Sequence, residues 1–271
     1  MRLAPRQSKG PVRLVVVLLL LALATAAGGC ATVKRTFGLG DGDPGPQSPE
    51  YLAMDGMEAL NRGNYRQALK IFQEIKDRHP FSSVGPLAEL KAADATYYLR
   101  RYQEAHFLYQ EFENNHPTNE AIPYVLFQMG MCHYQQIDTI DRDPAHALNA
   151  IAAFNRLNRA FPASPYQAEA QARVLAARDF LARHEMFVAA FYLKTKEYDQ
   201  AERRLDYLLE TYPESEIIPR AEELLAAIQD GNPPTRRWRD WLPNVSIGSW
   251  RGFFDAVSPM PGGVSEGGPA N

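Results

Sequence analysis

From Tyr65 onward, apolar and small residues recur on a fixed grid: Tyr65, Ala68, Phe72, Pro80; Tyr102, Ala105, Tyr109, Pro117; Ala147, Ala150, Phe154, Pro162; Tyr198, Ala201, Leu205, Pro213. Offsets of three and four put the first three residues of each set on one helical face, and the proline eight positions on falls where that helix must stop. A small residue stands ahead of each marked alanine: Gly56, Ala93 and Ala189 twelve positions ahead, and Gly130 twenty ahead in the third set. Such a residue lets a preceding helix approach its neighbour closely. Helix, tight turn such as Arg62-Gly63-Asn64, second helix and terminal proline make up the tetratricopeptide unit, whose usual period is ~34 residues. The proline spacings here are 37, 45 and 51, so insertions or extra helical turns are expected. Asp138 to Pro144 reads as a loop inserted in the third unit. Tyr166 to Lys194, without Gly or Pro, predicts one long helix or two nearly continuous ones, and Glu216 to Gln229 predicts a polar-faced terminal cap. The expected fold is all-α, a superhelical array of tetratricopeptide-like helix hairpins over residues 50–230. No unit buries its apolar face alone, so stacking supplies the core and leaves a concave groove lined by the first helices.

The flanks follow other patterns. Residues 1–29 carry Arg2, Arg6, Lys9 and Arg13 without an acidic residue, then an apolar run from Leu14 to Ala24. That run is shorter than the ~20 residues a membrane-spanning helix needs, and it has the layout of a secretory signal. Ala27-Gly28-Gly29-Cys30 resembles a bacterial lipobox, which implies cleavage before Cys30 and a diacylglycerol and N-acyl lipid upon it. The alternative is cleavage after Ala24-Thr25-Ala26, which leaves Cys30 a thiol. Ala31 stands where inner-membrane retention often has Asp, so the resemblance implies the periplasmic face of the outer membrane. Residues 30–49, punctuated by Gly and Pro, read as a flexible tether. Residues 231–271 form an aromatic, Pro- and Gly-rich tail. It holds the chain's three tryptophans, Trp238, Trp241 and Trp250, interleaved with Arg236, Arg237, Arg239 and Arg251. A membrane interface, an anchor on another protein and packing back onto the last repeat all suit that composition.

Charge and chemistry narrow the function. Without the leader, 25 basic residues face 32 acidic ones, a balance that argues against nucleic acid as the main partner. Only Cys30 and Cys132 exist, so no disulfide framework is expected, although an unlipidated Cys30 leaves a bridge between the two open. His184-Glu185 lacks the second histidine of a zinc hydrolase, because Val188 holds that place. Asp138, Asp141 and Asp143 lack the glycine and glutamate of a calcium loop. With no nucleophile elbow, P-loop or dinucleotide fingerprint, no enzyme, metal or cofactor is expected beyond the lipid. Tyr124, Phe127, Met131 and Tyr134 form one helical stripe, and Tyr97 and Tyr98 precede it. Plain interhelix packing and a peptide-binding groove both fit these residues.

Several stretches go beyond a generic repeat: Gly63-Asn64-Tyr65-Arg66-Gln67-Ala68, Arg78-His79-Pro80-Phe81-Ser82, Asp141-Arg142-Asp143-Pro144-Ala145-His146-Ala147, Phe161-Pro162-Ala163-Ser164-Pro165-Tyr166, and Leu181-Ala182-Arg183-His184-Glu185 running to Ala190-Phe191-Tyr192. Together they resemble the BamD/ComL lipoproteins of the outer-membrane β-barrel assembly machinery, over about Glu50 to Gln229. The resemblance implies a scaffold that holds the periplasmic domains of BamA, sits with other Bam lipoproteins and receives C-terminal segments of unfolded outer-membrane proteins. It places Arg78 and Phe81 in the N-terminal, peptide-binding region. Arg204, with Asp141, Arg142 and Asp143, falls on the BamA-docking side. His79 departs from the family's usual Tyr or Phe, and the tail after Asn232 has no counterpart there. The rival reading is another tetratricopeptide envelope lipoprotein, a secretin pilotin or a cell-division coordinator.

Overall fold

The computed structural model describes Gly45 and residues 47–233. Cys30 and the tryptophan tail from Pro234 onward lie outside the described residues. The chain divides after Tyr51 into two compact units. In the described part of the first, the Tyr51 N–H donates to Ser48 Oγ (3.2 Å). All regular structure among the described residues is helical: α1 Pro49–Asn61, α2 Tyr65–Arg78, α3 Gly85–Tyr98, α4 Tyr102–Asn115, α5 Ile122–Tyr134, α6 Ala145–Ala160, α7 Gln167–Thr195, α8 Tyr198–Thr211 and α9 Ile218–Gln229. From α2 to α9 each helix packs against the next in chain order, the arrangement of a tetratricopeptide-like array. The expected long helix is α7, unbroken, and Asp138 to Pro144 lies in the loop between α5 and α6. The cap begins at Ile218, because Pro219 is tolerated in a first helical turn and marks the start.

Three of the hairpins turn by one device. The N–H groups of Asn64, Arg101 and Glu197 each donate to a carbonyl five residues back, those of Ala59, Thr96 and Tyr192 (2.9, 3.2 and 2.9 Å). This satisfies helix-end carbonyls and requires a left-handed residue just before the donor. Gly63 (φ 76°) fills that place without strain, whereas Arg100 (φ 61°) and Lys196 (φ 62°) hold it at a cost of about 1 kcal/mol each.

Within each set of the grid, the alanine and the bulky residue four positions on lie in the core. Ala68, Phe72, Ala105, Tyr109, Ala147, Ala150, Phe154, Ala201 and Leu205 are all fully buried, and each large one contributes roughly 2–3 kcal/mol by leaving water. Close approach is visible where the small residues stand. A Cβ on Gly56 would lie 2.8 Å from the Phe72 ring, and one on Gly130 would lie 2.5 Å from the Phe154 ring. Helix α3 serves two core clusters at once. Ala88, Ala92 and Ala95 face the first hairpin, while Leu90, Ala93 and Tyr97 join the larger cluster that runs on to α9.

Candidate functional site

On α3, the Asp94 carboxylate is buried among helices, a placement that demands partners. Its Oδ1 accepts from the hydroxyls of Tyr109 on α4 (2.7 Å) and Tyr124 on α5 (2.8 Å), and its Oδ2 pairs with Lys91 Nζ (2.7 Å). Gln128 Nε2 donates to the Tyr124 hydroxyl (2.9 Å), while Gln128 Oε1 is buried without a hydrogen-bond partner. Burial first, and the neighbouring Asp94 second, push both phenols well above their ordinary range, so they remain neutral donors. Lys91 also stands 5.8 Å from the Tyr124 ring centroid. At the rim of this cluster Tyr98 is exposed and stacks on Tyr65, their centroids 4.9 Å apart.

The aromatic candidates separate on this geometry. Phe127 is 1% exposed, stacked on Tyr166 (5.4 Å) and packed on Phe154; Tyr134 is 2% exposed, with the Arg173 guanidinium 5.0 Å from its ring. Tyr97 is buried, in T-shaped contact with Tyr98 and Tyr102. These three pack between helices, because their positions on α3 and α5 face partner helices and are closed to a groove ligand. Tyr98 and the half-buried Tyr124 remain within reach of a ligand. Arg78, at the end of α2, is exposed and pairs with Glu74 (2.7 Å), and Phe81 in the following loop is fully exposed.

A second constellation joins segments far apart in sequence. The Ile140 carbonyl, in the inserted loop, lies 2.6 Å from His184 Nδ1 on α7, so that nitrogen carries the proton and donates. The next residue, Glu185, receives Arg204 Nη1 of α8 at 3.2 Å. The loop is itself braced: Arg142 pairs with Asp138 (2.5 Å), and Asp143 Oδ1 accepts the Ala145 N–H at the start of α6 (2.9 Å). Asp141 is fully exposed, and a hydrogen bond from Thr139, chiefly, holds its carboxyl below the ordinary range. Arg204 therefore presents a half-exposed guanidinium already tied to one carboxylate, able to offer its remaining N–H groups to another. His184, Glu185, Lys91 and Asp94 were not singled out as site residues from the sequence. A carboxylate amid Ala92, Ala93 and Ala95, three positions after a lysine, was the readable signal for Asp94. Among the described residues no group of three or more His, Cys, Asp or Glu could hold a metal ion.

Comparison with known proteins agrees with this architecture. Residues 47–232 match the family model YfiO, described as outer membrane lipoprotein. The chain is 29% identical over 228 residues to the outer membrane protein assembly factor BamD of Neisseria gonorrhoeae, covering 79% of this chain and 82% of that protein. It is 30% identical over 190 residues to the same factor of Pasteurella multocida (66% and 73%) and 28% over 186 residues to that of Vibrio cholerae (65% and 77%).

Proposed function

The chain belongs to the YfiO family of outer membrane lipoproteins, and from that premise we propose that it is a lipid-anchored periplasmic scaffold of the β-barrel assembly complex. Its relatives are named as assembly factors, a non-enzymatic role. In this reading Cys30 carries the lipid, the face made by the inserted loop, α7 and α8 holds periplasmic domains of BamA, and other Bam lipoproteins complete the complex. The N-terminal hairpins receive C-terminal segments of unfolded outer-membrane proteins.

One observation carries the reading most. Two hydrogen bonds, one between Ile140 and His184 and one from Arg204 to Glu185, tie the Asp138–Pro144 loop and α8 to adjacent residues of α7. A face braced by these bonds, with a partly satisfied arginine, suits a carboxylate-bearing docking domain. At the other end, Phe81, Tyr98 and Tyr65 offer aromatic faces to alternating side chains of an extended peptide. Arg204→Glu is expected to place two carboxylates together, to weaken co-purification of BamA at least tenfold, and to leave the helical circular-dichroism spectrum intact. Unchanged recovery of BamA removes the docking assignment. Mass analysis of the N-terminal peptide from the same preparation tests acylation of Cys30 separately.

A further inference from the structure

Where the second hairpin meets the third, three imidazoles from three consecutive helices form a row. The rings of His106 on α4 and His133 on α5 have centroids 4.7 Å apart, and those of His133 and His146 on α6 are 6.3 Å apart. Nδ1 of His133 and Nδ1 of His146 are both buried without a hydrogen-bond partner. A buried polar atom with no partner is rare enough to need a reason. Among the described residues no carboxylate is ion-paired with these three rings. On α4, Glu104 pairs with Arg101, Glu111 with Lys76 of α2, and Glu113 with Arg156 of α6. On α3, Asp94 and Lys91 serve each other, Tyr109 and Tyr124. On α7, Arg173 is held by Glu169 and the Tyr134 ring.

We propose that this row makes the joint between the second and third hairpins acid-sensitive: protonating the histidines drives α4, α5 and α6 apart and uncouples the N-terminal half of the array from the C-terminal half. The geometry sets like charges side by side with no paired carboxylate among the described residues. His146 also occupies the first turn of α6, where the helix N-terminus opposes a cation. Burial, followed by His106 and His146, brings the His133 imidazole down to about 4, and burial also lowers His106. Above the ordinary histidine value of about 6.5 His133 is neutral whether the joint is closed or open, so nothing is lost. Between there and about 4 His133 takes the proton only when the joint opens, so closure weakens as pH falls through this window.

The stretch from α1 to α4 holds Arg78, Phe81 and Tyr98, and that from α5 to α9 holds the inserted loop and Arg204, so the joint lies between the two surfaces proposed above. Its acid sensitivity does not depend on which partners those surfaces hold. Hydrogen exchange of the full chain in detergent, followed by mass spectrometry at about pH 7.5 and about pH 5 and corrected for intrinsic exchange, tests the proposal. Opening of peptides from α4 to α6 is expected to rise on the order of tenfold at the lower pH, after allowance for the partial exposure of the rings, with α8 and α9 unaffected. In H106Q/H133Q/H146Q that rise should vanish; should the triple variant fail to fold, H133Q alone should remove most of it. A parent chain without the rise, a rise spread evenly along the array, or the same rise in the folded variant would each overturn the proposal.

Discussion

Adding one methyl group at Gly130 tests the close approach of α5 and α6. The new Cβ would lie 2.5, 2.6 and 2.9 Å from Cε1, Cδ1 and Cζ of Phe154. Carbon atoms rest at about 3.5–4.0 Å, so the ring must withdraw by roughly 1 Å. It has nowhere to go. Phe154 is fully buried, with Phe127 at 5.7 Å and Tyr134 at 6.4 Å between ring centroids, and both of those are buried as well. Overpacking of this kind costs about 1–3 kcal/mol, and the tight flanks place this site toward the upper end. Alanine returns about 1 kcal/mol through helix propensity, leaving a net loss of about 1–2 kcal/mol. For a body of this size that is a fall of roughly 3–6 °C in melting temperature, read by far-ultraviolet circular dichroism. Gly56→Ala, whose Cβ meets Phe72 at 2.8 Å, should lose less. Gly130→Ala combined with Phe154→Leu should recover part of the loss. A Gly130→Ala chain that melts at or above the parent would refute the argument, since propensity alone would then govern the position.

Asp94→Ala leaves two buried hydroxyls and Lys91 without their common partner and should cost about 3 kcal/mol or more in urea unfolding, whereas Lys91→Met should cost clearly less. Asp143→Ala removes the acceptor for the Ala145 N–H at the start of α6 and should lower stability by about 1 kcal/mol in the same assay. The Glu214 carboxyl is held below its ordinary range chiefly by a hydrogen bond from Arg178. Its contribution is present above the unfolded carboxyl value of about 4.3 and disappears as pH falls further, so Glu214→Gln should flatten the acid limb of the thermal-stability profile.

The helices were legible because every unit repeats the same demand: a small residue on one helix, an alanine and a bulky side chain four positions on, then a proline. Gly56 with Phe72 and Gly130 with Phe154 meet as that pattern requires. Family membership was legible in the stretches that a generic repeat does not need. Direction within a helix was less so. The stripe Tyr124, Phe127, Met131 and Tyr134 is compatible with facing a groove or a neighbour, and burial assigns Phe127, Met131 and Tyr134 to the neighbour while leaving Tyr124 at the rim. Long-range pairing was illegible. Nothing local to Ile140, His184, Glu185 or Arg204 announces that stacking brings them together, and the histidine row needs three helices to be placed before it exists.

Helix α7 packs against both α6 and α8, although arrays of this kind ordinarily spend two helices and a bend on that task. Its 29 residues make a rod of about 43 Å, and an unbroken rod transmits tilt where a loop would absorb it. A load borne at His184 and Glu185 therefore arrives, as rotation, beside Tyr166 and the aromatic stack beneath Phe127. One continuous helix thus sets the pitch of the modules on either side of it.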